Sequence, residues 1–101
     1  MSKKALAIIC ATLAATPAFA TNDNMAEAII LVVSKHQCGT TVTDEYLGAL
    51  VIQFAMDEDV TVKQAQARIV RGAIAVTERL AENGTVGQFC SEAAAIVRAA
   101  Q

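Results

Sequence analysis

The sequence predicts an all-α protein: a small antiparallel four-helix bundle of up-down-up-down topology, stapled by one disulfide and preceded by a cleavable signal peptide. Several segments repeat apolar residues at spacings of three and four, as one side of an α-helix does. Residues typical of helix caps stand between these segments, and two cysteines follow an N-terminal stretch typical of export. We therefore expect residues 1–20 to be the signal and residues 21–101 a single helical domain.

The N-terminal stretch has the layout of a secretory signal. A basic start precedes an apolar run, and Ala18 and Ala20 place small residues at the two positions that signal peptidase reads. We expect cleavage after Ala20, so that the exported chain begins at Thr21. The apolar run is far shorter than the roughly 20 residues that cross a bilayer, so we expect no stable membrane insertion. The predicted location is the bacterial periplasm, with secretion as the alternative.

The charge balance argues against one class of partner. Without the signal, six basic residues face ten acidic ones, which leaves a net charge near −4. Nucleic-acid affinity comes mainly from Lys and Arg on phosphates, and the remaining chain has no basic patch. We therefore predict no nucleic-acid partner.

The first helix is predicted over residues 25–37. The apolar, β-branched run 28–33 is also compatible with a strand, but the chain offers no second strand for it to pair with. Asn24 and Glu27 fit a capping box at the start, and Cys38 with Gly39 offers a stop. An apolar face this wide indicates a helix that is buried on most of its circumference.

The second helix is predicted to start after Thr43, a capping residue followed by two acidic residues that suit the positive end of the helix dipole. Its buried side is predicted from the spacing of Leu47, Leu50, Val51 and Phe54. The acidic run 57–59 ends it. Gly48 in this helix and Gly72 in the next indicate either close approach between helices or a tolerated glycine.

The third helix is the longest, and we expect the other helices to pack on it. Thr61 and Gln64 fit a capping box, and Asn83 with Gly84 supplies a left-handed stop. Its predicted buried stripe consists of Val62, Ala65, Ile69, Ala73, Val76 and Leu80, widened by Val70, Ile74 and Thr77.

The last helix is predicted to open with Thr85 and Gln88 and to bury Val86, Phe89, Cys90, Ala93, Ile96 and Val97. In an up-down-up-down bundle the first helix ends at the pole where the fourth begins. Cys38 and Cys90 then share that pole, and a disulfide between them is the expected state in an exported protein. The alternative is two free thiols or one reactive thiol.

The residues that enzyme mechanisms require are few. His36 is the only histidine, so a Ser-His-Asp arrangement would depend on it, and a His-rich metal site is excluded. The acidic run 57–59 lacks the glycine and the spaced oxygen ligands of a calcium loop, and there is no Gly-rich phosphate loop or CxxC pair. We predict a non-enzyme with no cofactor, no metal and no catalytic residue; a small enzyme is the third hypothesis.

The chain is more apolar than a thin four-helix core requires, with 54% hydrophobic residues. We predict that the surplus forms an interaction face on the first helix, made of Ile29, Ile30, Val32 and Val33. Its partner is expected to be another protein or a second copy of the chain. The alternative is a monomer whose short alanines pack closely.

The general layout resembles the periplasmic acid-stress chaperones of the HdeA/HdeB type. The resemblance rests on the single pair Cys38 and Cys90 and on the acidic-aromatic segment 44–47, which comes several residues later here than in that family. It implies a protein that dissociates at low pH and holds unfolding clients. Our leading hypothesis remains a non-catalytic interaction or accessory protein, with the chaperone second.

Overall fold

The computed structural model describes residues 22–99, and all regular structure in this range is α-helical. The helices are α1 (Asp23–Gln37), α2 (Asp44–Glu58), α3 (Val62–Asn83) and α4 (Val86–Ala99). The predicted all-α class is thereby confirmed. None of the four is long and apolar enough to cross a membrane. The predicted signal, with its cleavage site at Ala18, Ala20 and Thr21, lies outside the described residues.

Capping residues set the ends of α2 and α3 as predicted. The Thr43 side chain accepts a hydrogen bond from the Tyr46 backbone N–H. Thr61 and Gln64 form the reciprocal capping box, with distances of 2.9 and 3.0 Å. Gly84 ends α3 in the left-handed conformation at φ 66°, which glycine adopts without steric cost. These boundaries are therefore local properties of the sequence.

The start of α1 differs from the prediction by two residues. Asn22, rather than Asn24, is the N-cap, and its side-chain oxygen accepts from the Met25 backbone N–H at 3.0 Å. Asn24 lies in the first turn, and its amide donates to an Asp57 carboxylate oxygen at 3.0 Å. Both asparagines are suitable caps, and this contact with α2 accounts for the different role of the second one.

The most enclosed helix is α1, which packs against all three others. Its buried residues are Met25, Ala28, Ile29, Ile30, Leu31, Val33 and Ser34. Ser34 is satisfied locally, because its hydroxyl donates to the Ile30 carbonyl at 2.8 Å. The predicted burial over most of the circumference of α1 is confirmed, whereas α3, the expected centre, leaves one side open.

The contacts of α2 show that it lies across α1. Tyr46 in its first turn donates its hydroxyl hydrogen to Glu27 at 2.9 Å, a bond that raises the pKa of the tyrosine. Asp57 in its last turn accepts from Asn24. Both ends of α2 therefore contact the first two turns of α1, whereas in an aligned antiparallel pair the first turn of α2 would face the last turn of α1. The up-down-up-down order is not confirmed.

The predicted disulfide is present and joins the end of α1 to the second turn of α4. Cys38 is the C-cap residue of α1, and its Cα lies 5.7 Å from that of Cys90. The link spans 52 residues of sequence and fixes the enclosed helix at one end.

The two glycines within helices have different surroundings. Gly72 is buried on the inner side of α3. A Cβ built on Gly48 would meet no atom within 4 Å, so this glycine mediates no close approach of α2 to another helix.

Candidate interaction surface

The third helix carries two apolar faces that point in different directions. The inner face lies in the core and consists of Ala65, Ile69, Ala73, Val76 and Leu80. The second face, which we call the outer seam, consists of Ala67, Val70, Ile74, Thr77 and Ala81. Within the outer seam, Val70 and Ile74 are 53% and 54% exposed, although the sequence predicts them on the buried stripe. Neighbouring helices cover α3 from one side only, so the predicted wide stripe is in fact two separate stripes.

A groove between α1 and α3 runs beside the outer seam. Its volume is about 330 Å³, and it is open to solvent on one side. The groove is lined by Val32, Val33, His36, Gln37, Val70, Ala73, Ile74, Thr77 and Glu78. Most of this lining is apolar, and His36, Gln37, Thr77 and Glu78 are its polar residues. The arrangement suits an apolar side chain or a helix ridge from a partner.

The interaction face predicted on α1 lies mostly in the core. Ile29, Ile30 and Val33 are buried, because α2, α3 and α4 all pack on this helix. Val32 is partly buried and lines the groove. The apolar surface that a partner can reach therefore lies on α3, with Val32 as the contribution from α1.

Other large apolar side chains also reach solvent. Ile52 and Met56 are separated by one helical turn on α2 and are 52% and 70% exposed, and Val62 at the start of α3 is exposed as well. Together with Val70 and Ile74 they are the exposed large apolar side chains of the described residues. The outer seam differs from the α2 pair because it adjoins the groove and continues over four turns of helix.

Asp57 is an exposed carboxylate that joins two helices. It accepts hydrogen bonds from the side-chain amides of Gln53 at 2.9 Å and Asn24 at 3.0 Å, with Asn22 at 3.5 Å. These bonds favour the charged form, so the pKa of Asp57 lies below its ordinary value. The acidic run 57–59, predicted to end the second helix, thus contributes through Asp57 a tie between the start of α1 and the end of α2.

Glu92 is a buried carboxyl that no sequence motif marks. It is only 5% exposed, and its Oε2 atom has no hydrogen-bond partner among the described residues. Burial raises the pKa of Glu92, and a side-chain hydrogen bond with Gln88 opposes the shift. Its position could have been noticed in the sequence, because it lies three residues after Phe89 and four before Ile96 on the buried side of α4.

The residues considered for chemistry are not brought together. His36 is exposed at the groove, and Cys38 is held in the disulfide. Within residues 22–99 no group of three or more His, Cys, Asp or Glu side chains is placed to hold a metal ion.

No protein-family model, no curated protein and no solved structure matches this chain.

Proposed function

We propose that this chain is a small exported, non-catalytic interaction protein that binds a protein partner or a second copy through the outer seam and the adjoining groove. The observation that carries the proposal is the pair Val70 and Ile74, more than half exposed beside a groove of about 330 Å³. Exposed apolar surface that is contiguous with a groove is typical of sites of association.

The form of the surface favours a helical partner. Spacings of three and four residues along α3 present a ridge to a facing helix, and the groove offers room for a knob from that helix. Completing the burial of side chains such as Val70 and Ile74 contributes roughly 1 kcal/mol each. Association also costs translational and rotational freedom, so contacts of this size favour a weak, reversible complex.

Two isoleucines allow a matched test of the surface. Ile74 is 54% exposed on the outer seam, and Ile52 is 52% exposed on α2. We expect a photo-crosslinking residue at position 74 to capture a discrete partner in intact cells, and one at position 52 to give no such product. Ile74→Gln should abolish association while Ile52→Gln leaves it intact. Capture at position 52 alone, or equal capture at both positions, would contradict the assignment.

Export is part of the proposal and has its own test. We expect protein from the periplasmic fraction to have an intact mass that begins at Thr21 and lacks the two hydrogens of free thiols at Cys38 and Cys90. A product that retains residues 1–20 in the cytoplasm would contradict it.

The second candidate function, an acid-stress chaperone, is favoured by Asp57. Because its pKa is lowered in the fold, its hydrogen bonds stabilise the protein above its ordinary pKa of 3.8. This contribution is lost as the pH falls through the lowered pKa. Acid therefore loosens the tie between α1 and α2.

Acid exposure would distinguish this candidate from the leading one. The chaperone hypothesis expects that, at about pH 2 to 3, the protein binds an apolar dye and keeps an unfolding client soluble. Asp57→Asn, which removes the titrating group, should shift the onset of dye binding, whereas exchange of the carboxylate Asp44 for Asn serves as the matched control. Absence of dye binding and of client protection at this pH would exclude the chaperone.

A further inference from the structure

We propose that the outer seam binds the outer seam of a second copy, with the two α3 helices antiparallel around a twofold axis. This inference rests on the proposed function, and it names the partner and its orientation.

The spacing of the outer seam is that of a helix-pairing stripe. From Ala67 to Ala81 its residues alternate between three- and four-residue steps, as the apolar positions of a coiled coil do. The stretch extends about 21 Å along the helix. Alanines at both ends let two backbones approach, and Val70 and Ile74 supply the larger side chains in between. The seam therefore has a similar shape when read in either direction, as a twofold interface requires.

Charged residues beside the outer seam favour a second copy as the partner and an antiparallel orientation of the two α3 helices. Arg71 and Glu78 are exposed, seven residues apart, and lie on the same side of the seam, each directly following a seam residue. When two such helices pair in antiparallel fashion, these flanking positions meet across the interface. Arg71 of one copy then lies near Glu78 of the second copy, and symmetry repeats the pair. In a parallel pair the two copies of these positions would lie on opposite sides of the seam, so Arg71 of one copy would not meet Glu78 of the second.

Charge exchange tests this arrangement. The full chain, exported and oxidised, is studied by sedimentation equilibrium as wild type, Arg71→Glu, Glu78→Arg and the double variant. We expect the wild type to dimerise reversibly. Each single exchange replaces two attractive pairs by two repulsive ones and should raise the dissociation constant about tenfold. The double variant should recover wild-type affinity.

Mixing the two single variants gives the sharpest result. In the mixed dimer, one copy is acidic at both positions 71 and 78 and the other copy is basic at both, so each pair across the interface is again opposite in charge. We therefore expect the mixture to form heterodimers tighter than either homodimer by about tenfold. Arg98→Glu on α4 changes the net charge by the same amount as Arg71→Glu, and it should leave the dimer unchanged.

Failure of the antiparallel dimer and failure of the proposed function give different results. A wild-type protein that stays monomeric at high micromolar concentration overturns the second copy as partner, while discrete capture at Ile74 would still support the proposed function. The antiparallel α3 pairing is overturned if neither charge exchange changes the dissociation constant of the dimer, or if Arg98→Glu raises it equally. A dimer that survives Ile74→Gln but dissociates with Ile52→Gln overturns both proposals.

Discussion

The helices α1 and α3 are both strongly apolar, but they use that character differently. Three helices surround α1, and its isoleucines, valines and leucine lie almost entirely in the core. The longer α3 also contacts all three other helices, yet they cover only its inner face. Val70 and Ile74 consequently remain exposed. The same residue types thus contribute to folding on one helix and are available for association on the other.

The difference shows that packing by neighbouring helices decides whether an apolar side chain stabilises the fold or remains available to a partner. Ile29 and Ile74 both lie on apolar stripes of a helix, but the first is fully buried and the second is more than half exposed. Burial of the first stabilises the monomer, whereas burial of the second requires another molecule. The comparison can be tested by perturbing each region and measuring folding and association separately.

Removal of the disulfide that fixes the end of α1 should give the largest change in the free energy of unfolding. Changing both Cys38 and Cys90 to Ser removes a link across 52 residues and should lower the free energy of unfolding by about 4 kcal/mol. Urea denaturation measures the change. Wild-type protein treated with a reductant should match the variant, which itself should not respond to the reductant. An unchanged unfolding midpoint would mean that α1 is held by packing alone.

Truncation of one isoleucine on each helix tests the comparison directly. Ile29→Ala, at a fully buried site, should cost about 2 to 5 kcal/mol of stability. Ile74→Ala, at a site that is 54% exposed, should cost less than about 1 kcal/mol but weaken association. Thermal unfolding and sedimentation equilibrium give the two quantities. Equal losses of stability at the two sites would mean that the outer seam is covered within the monomer.

The buried Glu92 should lower the stability of the fold at neutral pH. Because burial raises its pKa above the ordinary 4.5, its contribution to stability is fully present below that value and is lost as the pH rises through the raised pKa. Glu92→Gln keeps a polar group near Gln88 without the charge. It should stabilise the fold by on the order of 1 kcal/mol at pH 7 and by much less below about pH 4. Urea denaturation at both pH values measures this, and a gain that is equal at the two would refute it.

Much of the fold could be predicted because it depends on local sequence. Thr61, Gln64 and Gly84 set the ends of α3 through bonds within the helix and its caps. Cys38 and Cys90 are the two cysteines expected in the exported chain, and the structure joins them in a disulfide. The caps require no knowledge of distant neighbours, whereas the disulfide spans 52 residues and could be predicted because the exported chain offers a single pair of cysteines.

The remaining features depend on neighbours that a sequence pattern does not identify. The cap at Asn22 rather than Asn24 accompanies a contact with Asp57, 33 residues beyond Asn24. The run on α1 is the most apolar and therefore predicts the interaction face there, but three helices pack on α1 and bury Ile29, Ile30 and Val33. The outer seam was merged with the inner face, since periodicity marks apolar stripes without showing which of them another helix covers.

The smallest expected change in stability is at Gly48, and it tests how closely α2 approaches its neighbours. Gly48 lies within α2, and a Cβ built there would meet no atom within 4 Å. Gly48→Ala should therefore stabilise the protein by about 0.5 to 1 kcal/mol, because alanine loses less backbone entropy in a helix. Gly87→Ala, equally open but in the first turn of α4, is the control and should gain less. Loss of stability at position 48 in thermal unfolding would mean that α2 packs more closely there, as closely as the helices around α1.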